Sequence, residues 1–310
     1  MDPKNKIATR QSYGEALKEL GKGKKEIVVL DADLASATKT NIFAAEFSER
    51  FFDMGIAEQN MIGTAAGMAT CGFIPYASTF AVFAAGRTYD QIRASVCYPN
   101  INVKIVATHS GVTVGEDGAT HQMLEDLGLM RGLPNMQVFC PSDDTQTRWL
   151  IKEISNIKGP CYVRLARLAT PVIYDEEQKF EIGKGIQIGE GRDAAIIATG
   201  DVVYQAILAK EELEKENINV RVIDIHTIKP IDKELIIKAA KETKKIITIE
   251  DHSIINGLGS SVCEVLAENN PSKVVRMGVK DVFGKSGNGE KLLEYFHLTS
   301  KDIIQQVKGE

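Results

Sequence analysis

The sequence predicts an α/β protein of two doubly wound domains with mostly parallel sheets. Short apolar runs rich in β-branched residues alternate with helical patterns, which is typical of parallel sheets covered on both faces. The alternation pauses over residues 168–191, where periodicity is weak, and resumes with the strand-like DAAIIATG of residues 193–200. The length of 310 residues also suits two domains of ~150 residues each. We therefore expect one domain over residues 1–180 and a smaller one over residues 181–310.

In the first domain, six strand-like runs account for the expected sheet. They are Ile27–Leu30, Arg50–Met54, Ile74–Ser78, Val103–Ala107, Met136–Phe139 and Cys161–Leu165. The helical patterns that separate these runs are Glu15–Leu20, Asn60–Thr70, Thr88–Cys97 and Thr145–Ile154. Strand, helix and strand in succession form the crossover unit that joins parallel neighbours.

The second domain repeats this pattern on a smaller scale. After DAAIIATG, strands are expected at Val220–Ile225, Lys245–Ile249 and Lys273–Gly278. The helices between them are expected at Val202–Glu216, Lys233–Glu242 and Gly259–Glu268. Residues 284–291, GKSGNGEK, loosely resemble a phosphate-binding loop, but glutamate stands where such a loop needs lysine and no strand leads into it. We expect a plain surface loop there.

Composition excludes several classes of protein. Lysine and arginine total 37 against 42 aspartates and glutamates, a net charge of −5, so the chain lacks the basic excess of a nucleic-acid binder. The five cysteines form no CxxC, which fits free thiols in a reducing compartment and disfavours a zinc site. The N-terminal segment has no apolar core, and the apolar runs fall short of the ~20 residues of a membrane helix. We expect a cytoplasmic protein that binds neither nucleic acid nor membrane.

Polar side chains follow most strands of the first domain. In an open α/β sheet, ligands bind at the carboxyl ends of the strands. One polar residue at such a place means little, but a succession of them indicates a shared cleft. The residues concerned are Asp31, Asp33, Glu58, His109, Ser142, Asp143 and Arg167.

Two long segments match a known family. Residues 51–83 read FFDMGIAEQNMIGTAAGMATCGFIPYASTFAVF, and residues 107–122 read ATHSGVTVGEDGATHQ. Both resemble the pyrimidine-binding half of transketolase, and the resemblance continues in order through RGLPNMQVFCPSD, GPCYVRLAR and EDHSIINGLGSS, so that it covers nearly the whole chain. It implies a thiamine-diphosphate-binding (pyrimidine) fold followed by a transketolase C-terminal domain. The implied activity is transfer of a two-carbon ketol unit from a ketose phosphate to an aldose phosphate.

The resemblance implies that Glu58, Phe80 and Phe83 bind the cofactor. The aminopyrimidine of thiamine diphosphate acts as a base only after its far ring nitrogen is protonated, and a buried carboxylic acid, here Glu58, keeps that proton available. An isolated glutamate would instead suit the first turn of a helix. Phe80 and Phe83 lie three residues apart, which on a helix puts them on one face, where apolar pairs usually belong to the core. The family's third aromatic is Gly86 here, which leaves Tyr89 as a candidate substitute.

By the same resemblance, His109, Asp117 and His121 contact the sugar. Gly115 and Gly118 permit the tight loop of GEDGATHQ. His121 would lie near the reacting carbon, where a histidine can hydrogen-bond the substrate or move protons at neutral pH. Asp117 would contact hydroxyl groups, and His109, eight residues earlier, would contact the sugar or its phosphate. Glu58 and His121 are therefore the residues to which the resemblance gives catalytic roles.

Arginines are the residues assigned to the substrate phosphate, because the planar guanidinium makes paired, charge-assisted hydrogen bonds. The resemblance assigns Arg167 and Arg10, with Arg164 as a nearby alternative to Arg167. A surface ion pair is the alternative role for each. The family's phosphate-contacting serine is offset in this sequence, so either Ser36 takes that role or the contact is lost. Asp33 matches a family position near the cofactor and the dimer contact.

The chain lacks the motif that holds the diphosphate. Thiamine enzymes bind it through a metal, typically with a GDG segment and a downstream asparagine, and neither that pair nor HExxH occurs here. In transketolase the motif lies in a preceding domain, whereas this chain begins almost directly at the pyrimidine domain and Met1 looks like a natural start. We therefore expect a split enzyme. A separate N-terminal subunit would bring Mg²⁺ and the diphosphate site, and the two chains would assemble into a heterotetramer.

Three other interpretations stay open. The β subunit of a 2-oxo-acid dehydrogenase has this length and also needs a partner, but it does not carry the GEDGxTHQ loop in this form. A 1-deoxyxylulose-5-phosphate synthase has a similar loop and a comparable IAEQ segment, although it is usually a single chain. A non-catalytic paralogue would bind a partner or cofactor without turnover. Intact Glu58, His109, Asp117 and His121 argue only weakly against the last.

Overall fold

The strands of the first domain lie in one mostly parallel sheet, as the alternating pattern predicts. The computed structural model describes residues 5–309. The strands are β1 Lys6–Ala8, β2 Ile27–Asp31, β3 Phe51–Asp53, β4 Ile74–Phe80, β5 Lys104–Thr108, β6 Gln137–Phe139, β7 Cys161–Arg164 and β8 Ala169–Pro171. Strands β2 to β7 pair in parallel in the order β6-β7-β5-β4-β2-β3. Strands β1 and β8 form a separate antiparallel pair.

Helices cover both faces of this sheet. They are α1 Thr9–Gly23, α2 Ala35–Thr38, α3 Asn41–Glu46, α4 Glu58–Thr70, α5 Tyr89–Gln91, α6 Asp126–Arg131 and α7 Asp144–Ile154, with π-helical segments at Val82–Arg87 and Ile92–Cys97 and 3₁₀ turns at Ser48–Arg50 and Val112–Val114. Ile27 of β2 shares a core cluster with Leu17 of α1. The next residue, Val28, shares the opposite cluster with Met61 of α4. Burial on both faces explains why the strands read as continuous apolar runs.

The second domain forms a smaller sheet of the same kind. Its strands are β9 Ile186–Ile188, β10 Ala194–Ala198, β11 Val220–Asp224, β12 Thr227–Lys229, β13 Ile246–Ser253 and β14 Val274–Val279. Its helices are α8 Val203–Lys215, α9 Lys233–Glu242, α10 Leu258–Asn269, α11 Gly289–Tyr295 and α12 Ser300–Lys308, with a 3₁₀ turn at Gly200–Val202. The sheet order is β14-β13-β10-β11-β9, parallel except for β9. No helix among the described residues combines the length and the apolar character needed to cross a membrane.

Strand β12 belongs to the second half of the chain but pairs at the edge of the first sheet. It pairs antiparallel with β6, with Thr227 opposite Phe139. Lys229 Nζ also donates to the carbonyl oxygen of Arg131 at 3.0 Å. The two halves of the chain therefore share a sheet, which the sequence pattern does not indicate because three residues are too few to show periodicity. Strands β8 and β9 lie in the segment 168–191, where the pattern pauses, and they are missed for the same reason.

Candidate active site

Four of the predicted site residues form a group of contacting rings at the carboxyl ends of β4 and β5. Phe80 is the last residue of β4, and His109 directly follows β5. Their rings stack with centroids 3.8 Å apart. The ring of Phe83 is stacked with Phe80 at 6.0 Å, and His121 lies edge-on to Phe83 at 5.6 Å. We call these four residues the ring cluster, and together they form an aromatic wall where open α/β sheets bind ligands.

The two phenylalanines do not lie on one helix, contrary to what their spacing predicts. Phe80 belongs to β4, whereas Phe83 lies in the π-helical segment Val82–Arg87. A π-helical turn contains one residue more than an α-helical turn and occurs frequently at functional sites. The sharp change from strand to π-helix, rather than a shared helix face, brings the two rings together.

Glu58 is buried at the start of α4 and pairs with Arg87, which the sequence reasoning missed. The Glu58 side chain is 3% exposed, and its Oε1 accepts a hydrogen bond of 2.7 Å from Arg87 Nη1. The Arg87 guanidinium lies 4.4 Å from the ring centroid of Phe83. The only signal in the sequence is that Arg87 follows Gly86, where the family's third aromatic is missing. Tyr89 does not replace that aromatic here, since it lines a different cleft, of about 330 Å³.

The position of Arg87 indicates what the pocket can bind. Its guanidinium is a flat cation that stacks on Phe83 and donates a hydrogen bond to a buried carboxylate. A protonated aminopyrimidine is also flat and cationic, and it can make the same two contacts. Glu58, Phe80 and Phe83 therefore fit the pyrimidine end of thiamine diphosphate.

His109 is held as a neutral imidazole between Phe80 and Arg10. Its Nε2 lies 3.4 Å from Arg10 Nη1, which can only donate, so Nε2 accepts and Nδ1 carries the proton, 2.9 Å from Thr108 Oγ1. Burial, together with the nearby charges of Arg10 and Arg167, lowers the pKa of His109 to about 3. Its backbone is left-handed, with φ of 56°, a strained conformation that often occurs at functional sites. His109 therefore supplies hydrogen bonds rather than exchangeable protons near neutral pH.

Arg10 and Arg167 place two positive charges in one cleft of about 230 Å³. Arg10 Nη1 donates to Ala37 O at 2.8 Å, and burial followed by repulsion from Arg167 lowers the pKa of Arg10. Arg167 donates to Val114 O and lies 3.8 Å from Asp117 Oδ2. Two like charges held this close favour an anionic ligand between them.

Arg164, the alternative to Arg167, does not face this cleft. Its side chain is 4% exposed, and its Nε donates to both carboxylate oxygens of Asp126, at 3.1 and 3.0 Å. Its Nη2 donates to the carbonyl oxygens of Met123 and Asp251. Because its donors have internal partners, Arg164 belongs to the scaffold, and Arg167 is the arginine that is open to a ligand.

Asp117 and His121 lie on one loop, residues 110–122, which we call the 110–122 loop. Gly115 and Gly118 have φ of 87° and 75°, which confirms the tight loop predicted from the glycines. His121 is half-buried, and its Nδ1 lies 2.9 Å from Thr120 Oγ1. The loop thus brings Asp117 to the cationic cleft and His121 to the ring cluster.

Asp33 and Ser36 are exposed on the segment that follows β2. Asp33 has a left-handed backbone, with φ of 63°, and its N–H donates to Asp53 Oδ1 at 3.0 Å. Ser36 lies on α2 next to Ala37, whose carbonyl accepts from Arg10. Ser36 is therefore one residue from the cationic cleft, whereas Asp33 is tied to the neighbouring strand β3 rather than to the ring cluster.

The described residues offer no evident metal site. Within residues 5–309, no group of three histidine, cysteine, aspartate or glutamate side chains is arranged to hold a metal ion. Two acidic side chains of the site face arginines, Glu58 with Arg87 and Asp117 with Arg167.

A buried acid, a wall of stacked rings and paired arginines at the carboxyl edge of a parallel sheet define a site for a flat heterocycle beside an anionic substrate. Comparison with known proteins identifies the family of the chain. Residues 5–172 match the pyrimidine binding domain of transketolase, and residues 183–303 match its C-terminal domain. The chain belongs to the transketolase family, whose enzymes use thiamine diphosphate.

Relatives show which part of transketolase the chain corresponds to. It is 51% identical over 304 residues to a putative transketolase C-terminal section of Methanocaldococcus jannaschii, covering 97% of this chain and 95% of that protein. It is 38% identical to transketolase of Homo sapiens, covering 98% of this chain and 49% of that protein. A solved structure described as split gene transketolase, inactive β4 tetramer, has a TM-score of 0.91 and 52% identity, with 98% of both chains covered. The chain therefore corresponds to the C-terminal section of a split transketolase.

Proposed function

We propose that this chain is the C-terminal subunit of a transketolase that moves a two-carbon ketol unit from a ketose phosphate to an aldose phosphate. The observation that carries the proposal is a continuous line of contacts from Glu58 through Arg87, Phe83, Phe80 and His109 to Arg10. This line joins an acid, a ring-binding wall and an anion-binding cleft. A thiamine-dependent reaction of sugar phosphates needs these three elements side by side.

The proposed cofactor residues are Glu58, Phe80, Phe83 and Asp33. When bound, thiamine diphosphate would supply the carbanion chemistry of ketol transfer. Glu58 would hold a proton at the far ring nitrogen of the pyrimidine, since its side chain is 3% exposed and already accepts a hydrogen bond from the flat cation that stacks on Phe83. Phe80 and Phe83 orient the flat ring by stacking. Asp33 is assigned to the neighbourhood of the cofactor by family resemblance alone.

The proposed substrate residues surround the cationic cleft and the ring cluster. Arg10 and Arg167 bind the phosphate, and the neutral His109 accepts a hydrogen bond from Arg10 at the same end. Asp117 accepts hydrogen bonds from sugar hydroxyls, and His121 moves protons at the reacting carbon. The complete substrate set is His109, Asp117, His121, Arg167, Arg10 and Ser36.

The remaining half of the site belongs, in this proposal, to a separate N-terminal subunit. That subunit would hold Mg²⁺ and the diphosphate, for which this chain offers no ligand cluster among its described residues. The solved relative is described as an inactive tetramer of β chains. By similarity, we infer that this chain also self-associates, is inert alone and assembles with its partner into a heterotetramer. We place the reaction among the sugar phosphates of the cytoplasm, in the pentose phosphate pathway.

Reconstitution tests the proposed function. The purified chain is mixed with a candidate N-terminal subunit, thiamine diphosphate and Mg²⁺, and ketol transfer from xylulose 5-phosphate to ribose 5-phosphate is measured. We expect turnover from the mixture and none from either chain alone. Turnover that depends on pyruvate instead would support one of the rival enzymes. Tight partner binding without any turnover would favour a non-catalytic paralogue.

Replacing Arg87 by methionine is expected to tighten thiamine diphosphate binding to the reconstituted complex by about three- to tenfold. The Arg87 guanidinium occupies the two contact sites that the pyrimidine would use, the Glu58 carboxylate and the face of Phe83. Its hydrogen bond to Glu58 must therefore break when the cofactor binds. A hydrogen bond between charged groups contributes about 1.5–3 kcal/mol. Because the Arg87 side chain is 46% exposed, solvent screening reduces this to about 0.7–1.4 kcal/mol, which is a three- to tenfold change. Isothermal titration calorimetry gives the Kd directly.

Arg93 provides the matched control for Arg87. It lies on the next π-helical segment, Ile92–Cys97, and is exposed, so Arg93→Met removes the same charge without touching Glu58 or Phe83. We expect Arg93→Met to bind the cofactor as the unaltered chain does. Weaker cofactor binding by Arg87→Met would show that Arg87 helps to hold the cofactor instead of occupying its place.

A further inference from the structure

The 110–122 loop is anchored by the second domain. Asp251 of β13 is 2% exposed, and its two carboxylate oxygens accept hydrogen bonds from the backbone N–H groups of Val112, at 2.9 Å, and Thr113, at 3.3 Å. Gly111 approaches so closely that a Cβ on it would lie 2.0 Å from Asp251 Oδ2. The start of the loop is thus built around one carboxylate that belongs to the other domain.

A second buried carboxyl group, that of Asp201, shares a contact with Asp251. Thr113 Oγ1 is 2.9 Å from Asp201 Oδ2 and 3.2 Å from Asp251 Oδ2. Burial raises the pKa of both carboxyl groups, and repulsion from Asp201 helps to raise that of Asp251 to about 7. Asp251 accepts hydrogen bonds from the backbone of the loop, whereas Asp201 meets the loop at the Thr113 hydroxyl.

The far side of the loop also rests on the second domain. Gln122 Nε2 donates to the carbonyl oxygens of Val112, at 3.1 Å, and Lys285, at 2.8 Å. A Cβ on Gly118 would lie 2.3 Å from Ser286 Oγ. The segment 284–291 is mostly exposed, as expected of a surface loop, but it also contacts the first domain. Its first residues pack against the loop that carries Asp117.

We propose that Asp251 is a positioning residue, through which the second domain holds the 110–122 loop, with Asp117 and His121, in the shape that receives the sugar. Two charge-assisted hydrogen bonds to backbone N–H groups fix the 3₁₀ turn Val112–Val114, which begins the loop that carries Asp117 and His121. This gives the second domain a part in substrate binding. The identity of the ligand as a sugar rests on the proposed function, whereas the anchoring does not.

Hydrogen–deuterium exchange on the chain alone tests the anchor without any assay of activity. In Asp251→Asn, the side-chain NH₂ faces a backbone N–H, so we expect the amides of residues 112–118 to lose about tenfold or more of their protection. In Asp201→Asn, the backbone N–H groups of Val112 and Thr113 keep their acceptor, Asp251, so protection should stay within about twofold. Thr113→Val and Thr113→Ser form a second pair, of which only the valine variant should lose protection.

Kinetics of the reconstituted complex then separate positioning from general damage. We expect Asp251→Asn to raise the KM of the ketose phosphate by about tenfold, with the Kd of thiamine diphosphate unchanged because Glu58, Phe80 and Phe83 lie outside the loop. Equal loss of protection in Asp201→Asn and Asp251→Asn, or no loss in Thr113→Val, would overturn the assignment. If Asp251→Asn fails to fold, the Thr113 pair decides alone. If the unaltered complex transfers no ketol unit, the proposed function fails and the exchange data still decide the anchor.

Discussion

Replacing Glu58 by alanine is expected to lower kcat of the reconstituted enzyme by about 10³- to 10⁴-fold, the upper range for loss of a positioned proton-transfer group. Glu58 is a buried acid that reaches the place where a flat cation stacks on Phe83. Without it, nothing holds a proton at the far nitrogen of the pyrimidine. Steady-state rates at saturating cofactor measure the loss.

A second substitution separates proton supply from packing. Glu58→Gln keeps the shape and a hydrogen-bonding group but cannot be ionised, so we expect kcat to fall almost as far as in Glu58→Ala while the Kd of thiamine diphosphate changes less. Glu49→Gln is the matched control, because Glu49 is 71% exposed and distant from the ring cluster in its contacts. Full activity in Glu58→Ala would show that the assigned cofactor activation is wrong.

The sequence predicted the regular elements wherever a pattern ran for several turns or a full buried strand. Helix α9 has the predicted bounds, Lys233–Glu242, because its apolar residues recur with helical period over ten residues. Strand β2 was recognisable because all five residues of Ile27–Asp31 are buried. Strand β12, in contrast, has three residues and joins the other domain's sheet. Only the tertiary fold determines where so short a strand pairs.

The site could be predicted as far as its motifs extend. Glu58 and His121 lie in motifs that are long and ordered, and the structure brings both to the ring cluster. Arg87 and Asp251 were missed, because their roles come from contacts that no local pattern encodes. Asp251 is 139 residues from Val112, from whose N–H it accepts a hydrogen bond. The left-handed backbone of His109 is equally invisible in the sequence, since a histidine rarely adopts positive φ without support from its surroundings.

His121 and His109 differ in a way that the sequence alone does not reveal. His109 is buried between a phenylalanine and an arginine, and its pKa is lowered to about 3. It therefore carries no charge between pH 5 and pH 9 and cannot produce a pH dependence of the rate in that range. His121 is half-buried, on a loop, and touches the ring cluster only edge-on. Of the two histidines, His121 is therefore the one to which we assign proton transfer.

Replacing His121 by asparagine is therefore expected to lower kcat by about 10²- to 10³-fold, because asparagine can still form a hydrogen bond but cannot transfer a proton. His109→Asn is the matched control. His109 accepts a hydrogen bond from Arg10 beside the proposed phosphate site. Its replacement should therefore raise the KM of the sugar phosphate and leave the pH dependence of kcat unchanged. Profiles of kcat from pH 5 to pH 9 distinguish the two variants. If His109→Asn altered the profile and His121→Asn did not, the proton-transfer role would belong to His109. The buried, neutral state of His109 in the free chain would then have to change when the partner and substrate bind.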